Sequence, residues 1–190
     1  MIRLFIAHSL PVDVRSGIAM LQSGIDGARW VPSADLHITL RFIGDVSQNT
    51  AEEIAHTLGY IKPARFSIRL LNTGHFSSRG RVRALWVGVE KTPELLAMRD
   101  KIDRRLTGIG LPPEGRKFAP HVTVARLRPA RSDRVLQWLE TSGGFRFPAY
   151  EVNSFILYQS HIGRSGPTYV SLAEYPLDKV DTFPSKVSQG

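Results

Sequence analysis

The sequence of 190 residues is long enough for one compact domain or for two small lobes that share a core. Hydrophobic residues make up 42% and charged residues 22%, which is typical of a folded globular chain and excludes a disordered or fibrous one. The chain has no cysteine, which excludes disulfide frameworks, thiolate nucleophiles and cysteine-ligated zinc. Its net charge of +8 favours polyanionic partners such as nucleic acid, although a basic surface can also serve solubility alone.

No part of the sequence is apolar enough to predict a membrane span. Apolar runs stay short of the roughly 18–20 residues that a span requires, and the stretch before Pro11 is too short for the core of a signal sequence. We therefore expect a cytoplasmic protein. Because the sequence shows neither a heptad pattern nor a long apolar stripe, we also expect a monomer.

The first half of the chain alternates strand and helix patterns. Apolar runs and period-two alternation predict strands, whereas apolar residues three or four apart predict helices. Thr50 begins a capping box, which marks a helix start. In chain order, the pattern predicts a strand at 2–7, a helix after Pro11, a strand at 36–42, a helix from Thr50, and strands at 65–70 and 84–89. The glycine-, serine- and arginine-rich residues 74–83 are expected to form a long loop between the last two strands.

The second half repeats that order. Thr92 and Pro93 start a helix whose apolar stripe ends before Gly108. After it, the pattern predicts a strand at 120–125, a helix capped by Ser132 or Asp133, and strands at 150–158 and 168–172. This repeated order predicts an α+β fold with a pseudo-twofold repeat. In such a fold, sheets pack around a cleft and helices cover the outside. We expect residues 1–177 to form this single unit and residues 178–190 to form a flexible polar tail.

Two copies of a histidine-x-threonine pattern stand at equivalent points of the two halves. Alternation places His37 and Thr39 on one face of their strand, while Phe42 and its apolar neighbours face the other way. His121 and Thr123 share a face in the same manner. A single pattern of this kind is more often structural than catalytic, but a twofold repeat would bring both pairs to face one another across one cleft.

Paired histidines and threonines suit the cleavage of a phosphodiester. An imidazole has an ordinary pKa of about 6.5, so one ring can donate a proton near neutral pH while the other accepts one. The hydroxyls of Thr39 and Thr123 can donate hydrogen bonds to the two nonbridging phosphate oxygens. The sequence has no phosphate-binding glycine loop, no nucleophile elbow and no carboxylate spacing that predicts a metal site. We therefore expect attack by water, without a metal or another cofactor.

The two histidine strands belong to a set of stretches that resemble one known family. The stretches are residues 3–7, residues 29–32 leading into 36–44, residues 118–126, and residues 157–160 before Gly166. They resemble the 2H phosphoesterases, and within them the bacterial and archaeal RNA 2',3'-cyclic phosphodiesterases, which are also described as 2'-5' RNA ligases. The resemblance spans about residues 2 to 177. It implies a bilobal fold with two mainly antiparallel sheets around a central cleft that holds both histidine motifs.

The resemblance also implies an activity and the roles of single residues. It implies hydrolysis of an RNA 2',3'-cyclic phosphate to a 2'-phosphate without a metal, with His37 as the proton donor to the departing 3' oxygen and His121 as the proton acceptor that activates water. Arg126 matches a family arginine and is carried over as a phosphate-binding residue, although regular alternation predicts that it faces away from His121. The expected partner is an RNA with a 2',3'-cyclic phosphate end, with tRNA fragments or a nucleotide as candidates. The resemblance leaves open whether the chain also has a reversible 2'-5' RNA ligase activity.

Several alternatives remain at this point. A non-catalytic RNA or nucleotide-binding module would carry the same charge, and a 2H phosphoesterase could act on another cyclic or 2'-5' linked nucleotide. His8 departs from the residue usual in relatives and is expected near the cleft or at the surface. The basic residues 77–83 could bind RNA backbone or form only a solvated loop. Phe42 and Tyr158 could stack on a base or pack in the core.

Overall fold

The computed structural model describes residues 1–127, 132–163 and 166–179. These residues form four α-helices and nine strands. In chain order the elements are β1 (Ile2–Ser9), α1 (Val12–Ala19), β2 (Ala28–Trp30), β3 (His37–Val46), α2 (Gln48–Leu58), β4 (Phe66–Ser78), β5 (Arg81–Val89), α3 (Pro93–Gly108), β6 (His121–Leu127), α4 (Ser132–Ser142), β7 (Arg146–Val152), β8 (Ser154–Gly163) and β9 (Gly166–Pro176). Each half of the chain therefore contains the predicted order of strand, helix, histidine-bearing strand and helix.

The strands form one antiparallel sheet with the two histidine strands at its centre. Along the sheet the order is β7, β4, β5, β6, β3, β1, β8 and β9, and β2 pairs with β6. β3 and β6 share a single aligned pair, Ile38 with Val122. Because so little backbone joins them, the two four-strand halves of the sheet can diverge on either side of this pair and leave a cleft. The α+β class and the two groups of strands are confirmed, and the structure joins the groups at this point.

Each half of the sheet contains strands from both halves of the chain. β4 follows α2 in the first half of the chain but pairs with β5, next to β6. β8 lies in the second half of the chain but pairs with β1, next to β3. Neither lobe is therefore built from one continuous stretch of sequence.

Helices cover one face of the sheet and bury its apolar side chains. α3 begins as predicted, since the hydroxyl of Thr92 accepts a hydrogen bond from the N–H of Leu95. α2 begins earlier than predicted: Ser47 is its N-cap and accepts from the N–H of Thr50. The core side chains from α2, α3, β3 and β6 include Ile54, Leu58, Leu95, Met98, Ile102, Leu106, Ile38 and Val122. The opposite face of the sheet remains available for a cleft.

The predicted long loop at residues 74–83 is instead an extension of β4 and β5. The two strands pair out to Ser78 and Arg81, where a two-residue turn joins them. Arg79 and Gly80 in this turn have φ values of 52° and 71°, the left-handed conformation that a tight hairpin turn of this kind requires. The hairpin therefore projects as a paired arm and not as a flexible connection.

The predicted strand at residues 150–158 is divided in two. Asn153 separates β7 from β8 because β7 pairs with β4 and β8 pairs with β1, in the other half of the sheet. Asp178, the first residue of the predicted flexible tail 178–190, forms backbone hydrogen bonds with Pro63 and Arg65, and residues 180–190 lie outside the described residues. In the described part of the chain, no helix is long and apolar enough to cross a membrane.

Candidate active site

His37 and His121 occupy equivalent places, as the first residues of β3 and β6. The ring Nδ1 of His37 lies 2.6 Å from the carbonyl oxygen of Asp35, and that of His121 lies 2.7 Å from the carbonyl oxygen of Ala119. A carbonyl oxygen only accepts hydrogen bonds, so each Nδ1 carries a hydrogen and donates it. Each Nε2 is therefore the atom that gains or loses a proton.

A cavity of about 600 Å³ contains these two histidines in its wall. The wall includes all five residues that the sequence singled out for catalysis or phosphate binding: His37, Thr39, His121, Thr123 and Arg126. Its volume lies within the range of about 300–1,000 Å³ that is usual for small-ligand sites. The cavity can therefore hold a nucleotide with both histidines beside it.

Arg126 reaches this cavity because β6 contains a bulge. The pairing between β5 and β6 skips Val124, which has no partner on β5. An extra residue in one strand shifts the alternation of side chains by one position. Arg126 therefore shares the cavity face with His121, and the expectation from regular alternation that it faces away is wrong.

β3 contains a matching bulge at Leu40, which its pairing with β1 skips. As a result Phe42 lies on the cavity face and is 54% exposed, so its predicted apolar-face position is wrong. Arg41 takes the apolar face instead and is 5% exposed, with ion pairs to Asp103 at 3.0 Å and Glu114 at 3.9 Å. This buried arginine, which the sequence pattern did not reveal, ties the segment after α3 to the back of β3.

Arginine dominates the charge of the cavity. Arg3, Arg29, Arg116 and Arg126 line it, whereas Asp35 is the single carboxylate among its described lining residues. Arg29 and Arg126 lie directly opposite one another on β2 and β6, where like charges repel unless an anion lies between them. Within residues 1–127, 132–163 and 166–179, no cluster of three or more histidine, aspartate or glutamate side chains could hold a metal ion. The charge of the cavity thus suits an anion such as a phosphate.

Burial lowers the pKa of both histidines in the cavity. For His37, loss of solvent is the main cause, the main-chain carbonyl and the carboxylate of Asp35 oppose it, and the positive charges of Arg126 and His121 lower the pKa further. For His121, burial again lowers the pKa, and the carbonyl of Ala119 partly offsets it. Without a bound anion, both rings are therefore neutral at pH 7. Because the charges of Arg126 and His121 affect His37, the three groups are electrostatically coupled.

An aromatic ring packs edge-on against each of the two histidines. Tyr169 lies against His37 with ring centroids 5.2 Å apart and an interplanar angle of 86°, and Phe76 lies against His121 at 4.8 Å and 79°. Phe5 adds a second contact to His37 at 5.1 Å. These contacts restrict rotation of both imidazoles. The sequence analysis missed all three aromatic residues, because an aromatic residue in a strand pattern more often marks a core position.

Two other residues named from the sequence do not line the cavity. His8 was expected near the cleft or at the surface, but it is 3% exposed and its Nδ1 lies 2.9 Å from the carbonyl oxygen of Ser154. It pairs with Ile38 across β1 and β3, which places it on the core face of the sheet. Tyr158 is the partner of Phe5 on the neighbouring strand and stacks on it with ring centroids 5.1 Å apart, but it is not among the residues that line the cavity.

Comparisons of sequence show matches over most of the chain. A family model described as the 2'-5' RNA ligase superfamily matches residues 11–161. A relative from Aeropyrum pernix named RNA 2',3'-cyclic phosphodiesterase is 42% identical over 146 residues, which cover 76% of this chain and 83% of the relative. A relative of the same name from Methanocaldococcus jannaschii is 27% identical over 176 residues, covering 91% of this chain and 99% of the relative.

Solved structures share the fold. TT0787 of Thermus thermophilus superimposes with a TM-score of 0.76 and 26% identity, covering 92% of this chain and 97% of that one. Escherichia coli LigT complexed with 3'-AMP has a TM-score of 0.73 and 26% identity, covering 93% of this chain and 98% of LigT. Both similarities extend over nearly the whole chain.

Proposed function

Because the chain belongs to the 2'-5' RNA ligase superfamily, we propose that it hydrolyses the 2',3'-cyclic phosphate at the end of an RNA to a 2'-phosphate. The observation that best supports this proposal is that His37 and His121 line one arginine-rich cavity. The Nδ1 of each ring donates a hydrogen bond to a main-chain carbonyl. Relatives named RNA 2',3'-cyclic phosphodiesterase support the choice of substrate.

The proposed reaction is a direct displacement at phosphorus. Water attacks on the side of His121, whose neutral Nε2 takes the water proton. The bond between phosphorus and O3' breaks, and the departing O3' takes a proton from protonated His37, so that the phosphate remains on O2'. The hydroxyls of Thr39 and Thr123 and the guanidinium of Arg126 donate hydrogen bonds to the nonbridging oxygens, where negative charge builds in the transition state. Exchange with solvent then restores the two histidines to their starting protonation states.

A chelator experiment tests this proposal. Protein treated with EDTA should convert an RNA ending in a 2',3'-cyclic phosphate to one ending in a 2'-phosphate, because two imidazoles supply both proton transfers. Chromatography against 2'- and 3'-phosphate standards, together with mass spectrometry, identifies the product. Loss of activity on chelation that zinc or magnesium restores would contradict the metal-free reaction. Tight RNA binding without turnover would instead support a non-catalytic binding module.

The pH dependence follows from the lowered pKa values of the two histidines. The free protein needs His121 neutral and His37 protonated, and burial lowers the pKa of each below its ordinary value of about 6.5. We therefore expect a bell-shaped profile of kcat/KM with its maximum on the acid side of about pH 6.5. In the pH profile of kcat, the negative charge of the bound phosphate raises the pKa values of both histidines, so the maximum lies at higher pH than in the profile of kcat/KM. A kcat/KM maximum above about pH 8 would contradict the assignment of His121 as the base and His37 as the acid.

RNA ends, with tRNA fragments among them, are the substrates we propose, and the net charge of +8 favours a polyanion over a lone nucleotide. Binding of RNA should weaken steeply as salt rises, because cationic side chains displace counterions from the phosphates. A flat salt response would point to a small nucleotide.

We further propose that residues 1–177 act as a single unit, as a monomer in the cytoplasm. Size-exclusion chromatography with light scattering measures the oligomeric state.

A further inference from the structure

The outer part of the β4–β5 hairpin, residues 76–83, forms a basic arm beside the cavity. It contains Arg79, Arg81 and Arg83 and no acidic residue. All three arginines are exposed, and none of them forms an ion pair within residues 1–127, 132–163 and 166–179. Three cations without a carboxylate partner on one projecting hairpin are suited to bind phosphate groups.

The basic arm lies on the cavity face of the sheet. Phe76, its first residue, packs edge-on against the ring of His121 with centroids 4.8 Å apart. Ser78 follows two residues later and faces the same way, and its partner across the hairpin is Arg81. Arg79 lies three residues beyond Phe76, roughly 10 Å further along the hairpin. The arm therefore carries positive charge outward from the cavity on the face that holds the histidine site.

Arg126 connects the cavity with the arm. It lines the cavity and lies opposite Ala84 of β5, and Ala84 lies opposite Phe76 at the start of the arm. One row of paired residues thus joins the phosphate-binding arginine to the base of the arm. A strand of nucleic acid that leaves the cavity beside Arg126 reaches the arm next.

Two other arginines in the cavity wall are already paired with carboxylates. Arg3 lies 2.6 Å from the carboxylate of Asp45, at the far end of β1 and β3 from the histidine site, and Arg116 lies 3.2 Å from that of Glu114. The negative charge of each carboxylate offsets the attraction of its arginine for a phosphate. A phosphate backbone is therefore attracted more strongly to the arm, whose three cations are unpaired within the described residues, than to the part of the wall that holds Arg3 and Arg116.

We propose that the basic arm binds the backbone of the substrate RNA on the 5' side of its cyclic phosphate. This inference rests on the proposed hydrolysis, which places the cyclic phosphate between His37 and His121. A nucleoside 2',3'-cyclic phosphate has a single phosphate, which the histidine site occupies, so it offers the arm nothing to bind. A longer RNA has a further phosphate at each nucleotide, and these phosphates follow the strand out of the cavity.

The base of the arm also contains an aromatic ring that a nucleobase can reach. Phe76 is 41% exposed although one edge of its ring packs against His121. Cations that follow a backbone, together with an exposed ring on which a base can stack, are typical of surfaces that bind single-stranded nucleic acid without reading its sequence. The arm therefore suits a single strand of any sequence.

Contacts with the arm should change substrate binding and leave the chemical step unchanged. The arginines of the arm contact phosphates that take no part in the reaction, so their contacts are equally strong in the bound substrate and in the transition state. Interactions of this kind lower KM without raising kcat. KM should therefore fall as the RNA becomes longer, until the strand covers the arm, and kcat should stay constant.

The test uses an arm variant, Arg79→Asn/Arg81→Gln/Arg83→Gln, in the full chain. Asparagine tolerates the left-handed φ of 52° found at residue 79, so the turn is preserved. The matched control, Lys91→Gln/Arg104→Gln/Arg105→Gln, removes the same charge from exposed side chains. These lie beyond the far end of β5 and on α3, away from the arm.

Steady-state kinetics are measured with a nucleoside 2',3'-cyclic phosphate and with single-stranded RNAs of increasing length that end in the same nucleotide and cyclic phosphate. In the wild type, KM should fall with length. The arm variant should raise KM for the long RNAs by at least about tenfold with kcat unchanged, because three phosphate contacts are lost. It should hydrolyse the nucleoside cyclic phosphate as the wild type does, which also shows that it is folded. The control variant should match the wild type on every substrate.

Salt dependence gives a second readout. The dissociation constant of the long RNA product, which ends in a 2'-phosphate, is measured by fluorescence anisotropy over a range of salt concentrations. Each phosphate contact on a single strand contributes about 0.7 to the slope of log Kd against log salt, so the slope should become less steep by about two in the arm variant. The control variant should keep the wild-type slope.

Three results would overturn the inference: a wild-type KM that does not depend on RNA length, a wild-type KM for long RNA in the arm variant, or an equal rise of KM in the control variant. The second result would mean that the RNA leaves the cavity along another path, and the third that only net charge matters. Failure of the wild type to hydrolyse any cyclic phosphate would contradict the proposed function itself. It is distinguishable because the nucleoside cyclic phosphate does not involve the arm.

Discussion

Replacing either His37 or His121 with alanine is expected to lower kcat for cyclic phosphate hydrolysis by about 10²–10⁴-fold, the usual effect of removing a general acid or base. Both side chains lie in the cavity wall and not in the core, so folding and RNA affinity should change little. The double variant should lose little beyond the worse single one, because both groups act in one displacement. Single-turnover rates measure the effect, and His56→Ala, an exposed histidine on α2, is the control.

A substrate whose 3' leaving group needs no protonation separates the two roles. Such a substrate removes the need for a general acid but still requires activation of water. It should restore much of the rate of His37→Ala and none of that of His121→Ala. The opposite pattern would reverse the assignment of acid and base. Rescue of neither variant would show that the histidines do not act in proton transfer.

Arg126→Ala is expected to lower kcat by about 10²–10³-fold, the range found for loss of one donor to a developing oxyanion. Arg126→Lys should recover only part of the rate, because an ammonium cannot form the paired hydrogen bonds of a guanidinium. The variant also removes a charge that lowers the pKa of His37. The pKa of His37 should therefore rise in Arg126→Ala, and the descending limb of the pH profile should move to higher pH. A purely structural role of Arg126 would not move that limb.

Arg29 provides the matched comparison for Arg126. The two residues are direct partners on β2 and β6, but the guanidinium of Arg29 lies against Gly166 at the start of β9. We expect Arg29→Ala to raise KM more than it lowers kcat, because Arg29 adds positive charge to the cavity, whereas the charge of Arg126 also acts on His37. Equal losses of kcat in the two variants would mean that Arg126 acts only through the general positive charge of the cavity.

The location of His37 and His121 in one cavity could be predicted because it depends on features that a sequence displays directly. These are period-two alternation and a repeated order of strand and helix. The directions of Phe42 and Arg126 could not be predicted from alternation, because a bulge adds a residue without changing the composition of the strand. Leu40 and Val124, the bulged residues, resemble ordinary strand residues. Their effect depends on the register with a neighbouring strand, which is distant in sequence.

The pairing of β4 with β5 over residues 74–83, where a loop was predicted, was missed for a related reason. Gly74 and the serines after it suggested a loop, since glycine and serine are frequent in turns. In the structure the ring of Trp86 lies over Gly74 from the paired strand, and a Cβ at that position would overlap the ring. The glycine therefore serves close packing of two strands, and this role is visible only when the partner strand is known.

The exchange of strands between the two lobes has a consequence for how the chain folds. β1 is synthesised well before β8 but completes its pairing only when β8 follows, since Leu4 of β1 lies opposite Gln159 of β8. Contacts between residues so far apart in sequence make folding slow, because a large loop must close before the pairing is formed. Until then one edge of β1 has unpaired backbone groups that can bind strands of other chains. Aggregation during synthesis should therefore begin at β1, the strand that carries Phe5 into the finished cavity.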